Sequence, residues 1–248
     1  MDIPRIFNIT ESAHRIHNPF TPEKLATLGS ALRLKAGTRV LDLGSGSGEM
    51  LCTWARDFSI IGTGIDMSQL FSEQAKLRAE ELGVADKVKF IHDDAAGYVS
   101  EEKVDVAACL GATWIGGGVA GTIDLLMKSL SSGGIILVGE PYWRQLPPSE
   151  EVAKDCHAGS ISDFHILPEL LGSFGDLGYD VVEMVLADQD GWDRYEAAKW
   201  FTMRLWLEAN PDDDFRKEVR AQLTSEPKRY AAHTREYLGW GVFALMKR

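Results

Sequence analysis

The chain has 248 residues, of which 45% are hydrophobic and 25% are charged, and its formal net charge is −11. This composition is typical of globular proteins, and the acidic balance argues against nucleic-acid binding, which needs a basic face. No run reaches the roughly 18 apolar residues of a membrane span, and the first residues lack the pattern of a secretory signal. We expect a cytoplasmic protein without nucleic-acid or membrane partners. The composition leaves the oligomeric state open.

The three cysteines, Cys52, Cys109 and Cys156, are odd in number and far apart in the chain. No pair has the spacing of a metal site or a redox motif, so we predict free thiols in a reducing compartment and no metal centre. Cys109 ends a predicted strand, where a small buried residue is more common than a nucleophile.

The N-terminal part, residues 1–35, combines a polar and irregular stretch over 1–20 with a predicted helix. Thr21 and Pro22 form an N-cap followed by proline at the first helical position, and a leucine stripe follows them. We interpret residues 1–35 as a lid segment.

Strands and helices alternate over residues 36–143. The hydrophobic pattern predicts strands at 39–43, 59–65, 88–92, 104–110 and 134–139, with helices at 48–57, 69–82 and 123–130. Such alternation predicts βαβ crossovers and a parallel sheet that carries helices on both faces.

The pattern changes after Glu140, which Pro141 follows. Prolines interrupt residues 144–180, which we interpret as an insertion on the substrate side. Residues 181–248 are predicted to complete the core sheet with a strand at 181–187, inserted helices at 192–209 and 212–231, and a terminal strand at 240–246. Residues 1–20 and 141–178 are expected to cover a pocket.

The segment VLDLGSGSGEM, residues 40–50, is the most informative motif of the chain. A strand, a turn with glycine at 44, 46 and 48, and a helix follow one another, which brings backbone close to a ligand. A dinucleotide fingerprint needs the spacing G-x-G-x-x-G, and here Glu49 stands at the third glycine, where its carboxylate would oppose a pyrophosphate. No Gly-Lys-Ser/Thr follows, so a P-loop is also absent. The turn therefore suits a ligand without phosphates.

The order of motifs resembles that of class I S-adenosylmethionine-dependent methyltransferases. The resemblance rests on VLDLGSGSGEM, on Asp66 at the end of IIGTGID, on Asp94-Ala95 in FIHDDAA, on VDVAACLGA, and on GGIILVGEPYW. The whole chain also resembles the YjhP-type bacterial proteins of this superfamily. The resemblance implies an α/β, Rossmann-like fold with a seven-stranded, mostly parallel sheet, an antiparallel C-terminal strand, helices on both faces and helical lid insertions. Residues 36–143 would bind the cofactor S-adenosyl-L-methionine.

The resemblance also implies which residues contact that cofactor. Asp66 would accept from the ribose hydroxyls, Asp94 would accept from the adenine amine, and Asp42 would face the cationic end. The predicted set is Asp42, Gly44, Ser45, Gly46, Gly48, Asp66, Met67, Asp94, Ala95 and Leu110. Asp42 and Asp66 also fit as ordinary strand-end aspartates that cap turns, and Asp93 competes with Asp94.

Residues on the substrate side are read from their position after the strands. Trp114, Tyr142 and Trp143 are candidate substrate contacts, with core packing as the alternative. His14, Glu140 and His165 are candidate bases, needed only if the acceptor is protonated. His14 and His17 would share one helix face, as surface or lid residues. The aromatic residues at 192–206 have helical spacing and suit a core or an interface.

The function these features predict is methyl transfer from S-adenosylmethionine to a small-molecule acceptor by direct in-line displacement. Positioning supplies most of the catalysis in such a reaction, so the absence of a catalytic triad from the sequence is expected. The alternatives are a cofactor-binding module without catalysis, a nicotinamide-dependent oxidoreductase, and transfer of a different group, such as aminopropyl, from the same cofactor.

Overall fold

Seven strands form the central sheet of the computed structural model, which describes residues 3–248. They are β1 (Arg39–Leu43), β2 (Ile61–Asp66), β3 (Val88–His92), β4 (Val104–Leu110), β5 (Leu130–Trp143), β6 (Tyr179–Leu186) and β7 (Leu238–Lys247). Their spatial order is β3-β2-β1-β4-β5-β7-β6, and β7 runs antiparallel to both of its neighbours. The predicted mixed sheet with an antiparallel C-terminal strand is therefore confirmed.

Helices surround this sheet. They are α1 (Arg5–Glu11), α2 (Pro22–Ala31), α3 (Glu49–Phe58), α4 (Gln69–Glu81), α5 (Val119–Met127), α6 (Glu150–Asp155), α7 (Leu167–Asp176), α8 (Gln189–Ala209), α9 (Arg216–Arg229) and α10 (Arg235–Tyr237). A π-helical segment, Tyr230–Thr234, joins α9 to α10, three residues after Pro227 inside α9.

Strand β1 lies inside the sheet, between β2 and β4. Residues 40–43 are all buried, because helices cover both faces of a parallel sheet. Alternate side chains enter different cores: Val40 belongs to the core that contains Trp54 on one face, and Leu41 belongs to the core that contains Phe174 on the other. The run 40–43, which is apolar except for Asp42, thus belongs to a strand that is buried on both faces.

Two parts of the structure differ from the sequence-based expectation. Residues 5–11 form α1, although residues 1–20 were expected to be irregular; residues 1 and 2 lie outside the described range. Strand β5 spans 130–143 instead of 134–139, because its second half pairs with β7 in a regular antiparallel ladder. Pro141 therefore lies inside β5, paired with Trp240 of β7, and does not end the strand.

A third, smaller core fixes α1 to the inserted helices. Ile9 is buried with Met203 and Leu207 of α8 and Val219 of α9. Trp200 and Trp206 pack against the same cluster, so part of the aromatic series at 192–206 belongs to a core. Phe201, in contrast, is 65% exposed.

Candidate functional site

A cavity of about 450 Å³ lies where β1, β2 and β4 end at their carboxyl edges. Its wall is drawn from five stretches of the chain: 3–7, 15–25, 42–50, 66–71 and 110–115. Such a volume suits a small organic ligand, and the edge where parallel strands end is the usual ligand site of an open α/β sheet. Within residues 3–248, the wall contains no residue after Ile115.

The glycine turn forms the floor of the cavity. Gly44, Gly46 and Gly48 have φ angles of +78°, +53° and +71°, in the left-handed region that favours glycine. The Gly44 and Ser45 N–H groups both donate to the Ile65 carbonyl, which ties the turn to β2. Gly44, Ser45 and Gly46 line the cavity, whereas a Cβ on Gly48 would lie 2.5 Å from Phe90 Cζ. Gly48 therefore serves the packing of α3 and lies outside the wall.

Asp66 links the turn to the end of β2. Its Oδ2 accepts from Gly46 N at 2.7 Å, and its Oδ1 accepts from Ser68 N at 2.8 Å. Each carboxylate oxygen can accept a second hydrogen bond, so Asp66 can cap the turn and still receive two donors from a ligand. The two interpretations of this aspartate from the sequence are therefore compatible.

Asp42 presents a buried carboxyl group to the same cavity. Its Oδ1 has no hydrogen-bond partner among residues 3–248, and burial together with the nearby Asp66 raises its pKa to about 7. A buried acceptor without a partner is unfavourable unless a ligand supplies a donor. This carboxyl group suits a cationic or strongly donating part of a ligand.

Glu49 follows the turn and pairs with Arg78. Arg78 Nε and one terminal nitrogen donate to the two Glu49 carboxylate oxygens, each at 2.8 Å. The Glu49 charge is therefore neutralised inside the protein. The charge argument against a pyrophosphate loses its force, while the missing third glycine of the dinucleotide fingerprint remains.

Residues 93–95 lie beside the end of β2 but outside the cavity wall. Asp93 N donates to the Asp66 carbonyl at 3.0 Å, which fixes the segment next to β2. Asp94 is exposed, and its Oδ1 accepts from Ala96 N at 2.8 Å, while the Ala95 side chain is buried. Met67 and Leu110 do line the cavity, as the sequence predicts.

The N-terminal segment closes the cavity from above the glycine turn, and His17 is the polar residue most firmly fixed there. His17 Nε2 lies 2.9 Å from Ser47 Oγ and 3.2 Å from the His14 carbonyl. The ring packs edge-on against Phe71 at 4.2 Å between centroids, and burial lowers the His17 pKa. The sequence treats His14 and His17 as one pair, and the structure separates them. His14 faces Glu11 and the Tyr195 carbonyl outside the wall.

The structure brings neither of the other two candidate bases to the wall. Glu140 is buried, accepts from Thr113 Oγ1 at 2.8 Å and has a pKa raised by burial to about 7. His165 is exposed and faces Glu169 at 3.7 Å. A base predicted from its position after a strand can point away from the cavity, because successive side chains of a strand face opposite sides.

Only one of the three candidate substrate contacts lies in the wall. Trp114 lines the cavity and is 53% exposed. Trp143 is fully buried and donates from Nε1 to the Ile161 carbonyl at 2.7 Å, and Tyr142 is buried against Gly239. The packing alternative therefore describes the surroundings of Tyr142 and Trp143. Cys109 is also a buried core residue, and burial raises its pKa.

Comparisons with known proteins give the family. The profile of a methyltransferase domain family matches residues 34–197. The chain belongs to this methyltransferase family. The uncharacterized protein YjhP of Escherichia coli (strain K12) is 72% identical to it over 248 residues, which is all of both chains.

Two crystal structures in complex with S-adenosyl-L-homocysteine are closely similar. An S-adenosylmethionine-dependent methyltransferase from Geobacter sulfurreducens is 81% identical, with a TM-score of 0.98 over 100% of this chain and 99% of that one. Its counterpart from Thiobacillus denitrificans is 79% identical, with a TM-score of 0.98 over 100% of both chains. No helix within residues 3–248 combines the length and apolar character needed to cross a membrane.

Proposed function

We propose that this methyltransferase binds S-adenosyl-L-methionine on its glycine turn and methylates a small-molecule acceptor held in the same cavity. The observation that carries the proposal is the unpartnered Asp42 carboxyl group beside Asp66 and the left-handed glycines. Both carboxyl groups accept hydrogen bonds, and the cofactor carries an ammonium group, a sulfonium and two ribose hydroxyls. The donors of the cofactor thus match the acceptors of the wall.

Each predicted contact other than Gly48, which lies outside the wall, has a role in this arrangement. Asp66 accepts from the ribose hydroxyls, and Gly44, Ser45 and Gly46 leave room for the methionine portion. Asp42 faces the cationic end, because an opposite charge favours the ionised carboxylate. Met67 and Leu110 flank the adenine, and Asp94 with the Ala95 N–H would reach its polar edge. The third glycine of the dinucleotide fingerprint is replaced by Glu49, which disfavours a nicotinamide cofactor.

The cofactor supplies an activated methyl group, and the protein supplies position. A small acceptor aligned behind the methyl group can react by direct in-line displacement, for which proximity and orientation account for a large share of the rate. The wall away from the carboxyl groups is apolar, with Pro4, Phe7, Trp114 and Ile115. These residues exclude water and favour an acceptor with an apolar surface.

The cytoplasmic location stays a prediction that rests on the free cysteines.

Calorimetry on the full chain tests the binding part of the proposal. S-adenosylhomocysteine should bind, and Asp66→Ala should weaken it about tenfold or more, because a charge-assisted acceptor is lost. Asp180→Ala is the matched control, since this exposed carboxylate pairs with Arg248 outside the wall. Binding of NADH without binding of S-adenosylhomocysteine would contradict the proposal. Incubation of the protein with S-adenosylmethionine and a metabolite extract separates catalysis from binding alone, because only catalysis forms S-adenosylhomocysteine.

A further inference from the structure

The hydrogen-bond network around His17 determines which of its ring nitrogens carries the proton. Gln74 Nε2 donates to the Ser12 carbonyl at 3.0 Å, so Gln74 Oε1 is the acceptor for the Ser47 hydroxyl at 2.7 Å. The single hydroxyl hydrogen of Ser47 is then used in that bond, so Ser47 Oγ must accept from His17 Nε2. The His14 carbonyl, an acceptor only, also faces Nε2. His17 Nε2 is therefore the N–H donor, and Nδ1 carries a lone pair.

This lone pair lies over the glycine turn. A Cβ built on Gly46 would lie 3.0 Å from His17 Nδ1, so this nitrogen lies close to the side of Gly46 on which a side chain would stand. Gly46 N in turn donates to Asp66 Oδ2. Among residues 3–248, no group donates a hydrogen bond to Nδ1, and His17 lines the cavity. Two acceptors, the Nδ1 lone pair and the Asp66 carboxylate, thus both lie beside Gly46.

We propose that His17 Nδ1 accepts a hydrogen bond from one ribose hydroxyl of S-adenosylmethionine, next to the hydroxyl that Asp66 accepts. Neither acceptor can satisfy the other, and a vicinal diol offers two adjacent donors to this pair. The proposal rests on the proposed function of the cavity. It assigns a cofactor-binding role to a residue of the N-terminal segment, outside the residues 34–197 that match the family profile.

The role explains why His17 is held so firmly. Ser47 and Gln74 fix the ring from below and Phe71 from the side, so Nδ1 is oriented before the ligand binds. Burial lowers the His17 pKa, which keeps the ring neutral, and able to accept, at pH 7. Closure of the N-terminal segment is thereby coupled to the ribose, and binding of the cofactor would stabilise the closed segment.

A double-mutant cycle between protein and ligand tests the hydrogen bond. In His17→Gln the amide nitrogen can still donate to Ser47, while no acceptor stands at the Nδ1 position. Calorimetry would measure S-adenosylhomocysteine and its 2′-deoxy and 3′-deoxy analogues on both proteins. The variant should bind S-adenosylhomocysteine about 3- to 10-fold more weakly, the usual effect of one hydrogen bond. One of the two deoxy analogues should bind equally to both proteins.

His233→Gln is the control, because His233 pairs with Asp155 and lies outside the wall. It should leave all three affinities unchanged. If His17→Gln has no effect, or weakens all three ligands by the same factor, the inference is overturned and His17 only anchors the segment. If the unaltered protein does not bind S-adenosylhomocysteine at all, the proposed function itself fails.

The pH dependence gives a second readout. Protonation places a hydrogen on Nδ1, so affinity of the unaltered protein should fall more steeply than that of His17→Gln as the pH drops below 6.5, the ordinary histidine value. The titratable groups around the ring are Glu11 and His14 of the N-terminal segment and Asp66 of β2. Parallel pH profiles of the two proteins would overturn the inference.

Discussion

The N-terminal segment, residues 3–20, and the proline-broken segment, residues 144–178, have different roles in the structure. Both were expected to cover the pocket. The first lines the cavity from Ile3 to Phe20, whereas no residue of the second reaches it. The second instead packs on the sheet: Ala153 and Cys156 enter the core on one face, and Leu170 and Phe174 enter the core on the other. A segment without a regular pattern can therefore be either a cover or a core element.

The inserted helices between β6 and β7 support the cover from behind. Glu11, which is 1% exposed, accepts from Tyr195 Oη at 3.0 Å and lies 3.5 Å from Lys199 Nζ. Since Tyr195 and Lys199 belong to α8, this buried network and the Ile9 core hold α1 in place. The C-terminal part of the chain thus contributes to the cavity through the position of α1, without lining it.

Two tryptophans give the largest expected contrast between wall and core. Trp143→Ala should lower the free energy of unfolding by about 3 to 5 kcal/mol, because a fully buried indole leaves a cavity. Trp114→Ala should change it by only about 0.5 kcal/mol, because the side chain is 53% exposed. Trp114→Ala should, however, slow the formation of S-adenosylhomocysteine from S-adenosylmethionine in the presence of an acceptor. Urea denaturation measures the free energy of unfolding, and an assay of S-adenosylhomocysteine formation measures the rate. Equal losses of stability in the two variants would contradict this contrast.

The same substitution at two glycines sharpens the comparison further. Gly46→Ala places a Cβ 3.0 Å from His17 Nδ1 at a φ of +53°, so binding of S-adenosylhomocysteine should weaken about tenfold through strain in the turn and displacement of the cover. Gly172→Ala lies within α7, where nothing stands within 4 Å of the new Cβ. It should leave affinity unchanged and stabilise the protein by about 0.5 to 1 kcal/mol. Calorimetry measures the affinity of both variants, and thermal denaturation measures their stability. If Gly46→Ala binds S-adenosylhomocysteine as well as the unaltered protein does, the turn is not part of the binding site.

The pH dependence of cofactor binding is the smallest of the three effects. The Asp42 pKa of about 7 in the free protein reflects burial, so a cationic ligand must favour ionisation and bind more tightly as Asp42 loses its proton. Affinity should therefore rise severalfold from pH 6 to pH 8, by the sign of this linkage. Asp42→Asn should flatten the part of the profile near pH 7 and leave the part caused by His17. If Asp42→Asn has the same pH profile of affinity as the unaltered protein, Asp42 does not change its protonation when the cofactor binds.

The parts of the site that could be predicted are those with local causes. The turn at 44–48 needs left-handed backbone, which glycine supplies, and Asp66 closes a strand whose neighbour is set by the βαβ order. The sequence predicts Gly48 as a ligand contact, because its closeness to Phe90 depends on β3, far along the chain. The sequence groups His17 with His14, because their spacing indicates a shared helix face. It does not show which residues of other elements lie against each histidine.

By itself, the sequence determined the sheet, the glycine turn and the acidic strand ends, because strand and turn patterns report burial and backbone conformation over a few residues. Only the tertiary structure decided which segment closes the cavity. Helix α1 has seven residues, too few to show its apolar face clearly, and it is held by side chains of α8 and α9 almost 200 residues away. Proximity of this kind arises from the packing of separate elements, and no local pattern encodes it.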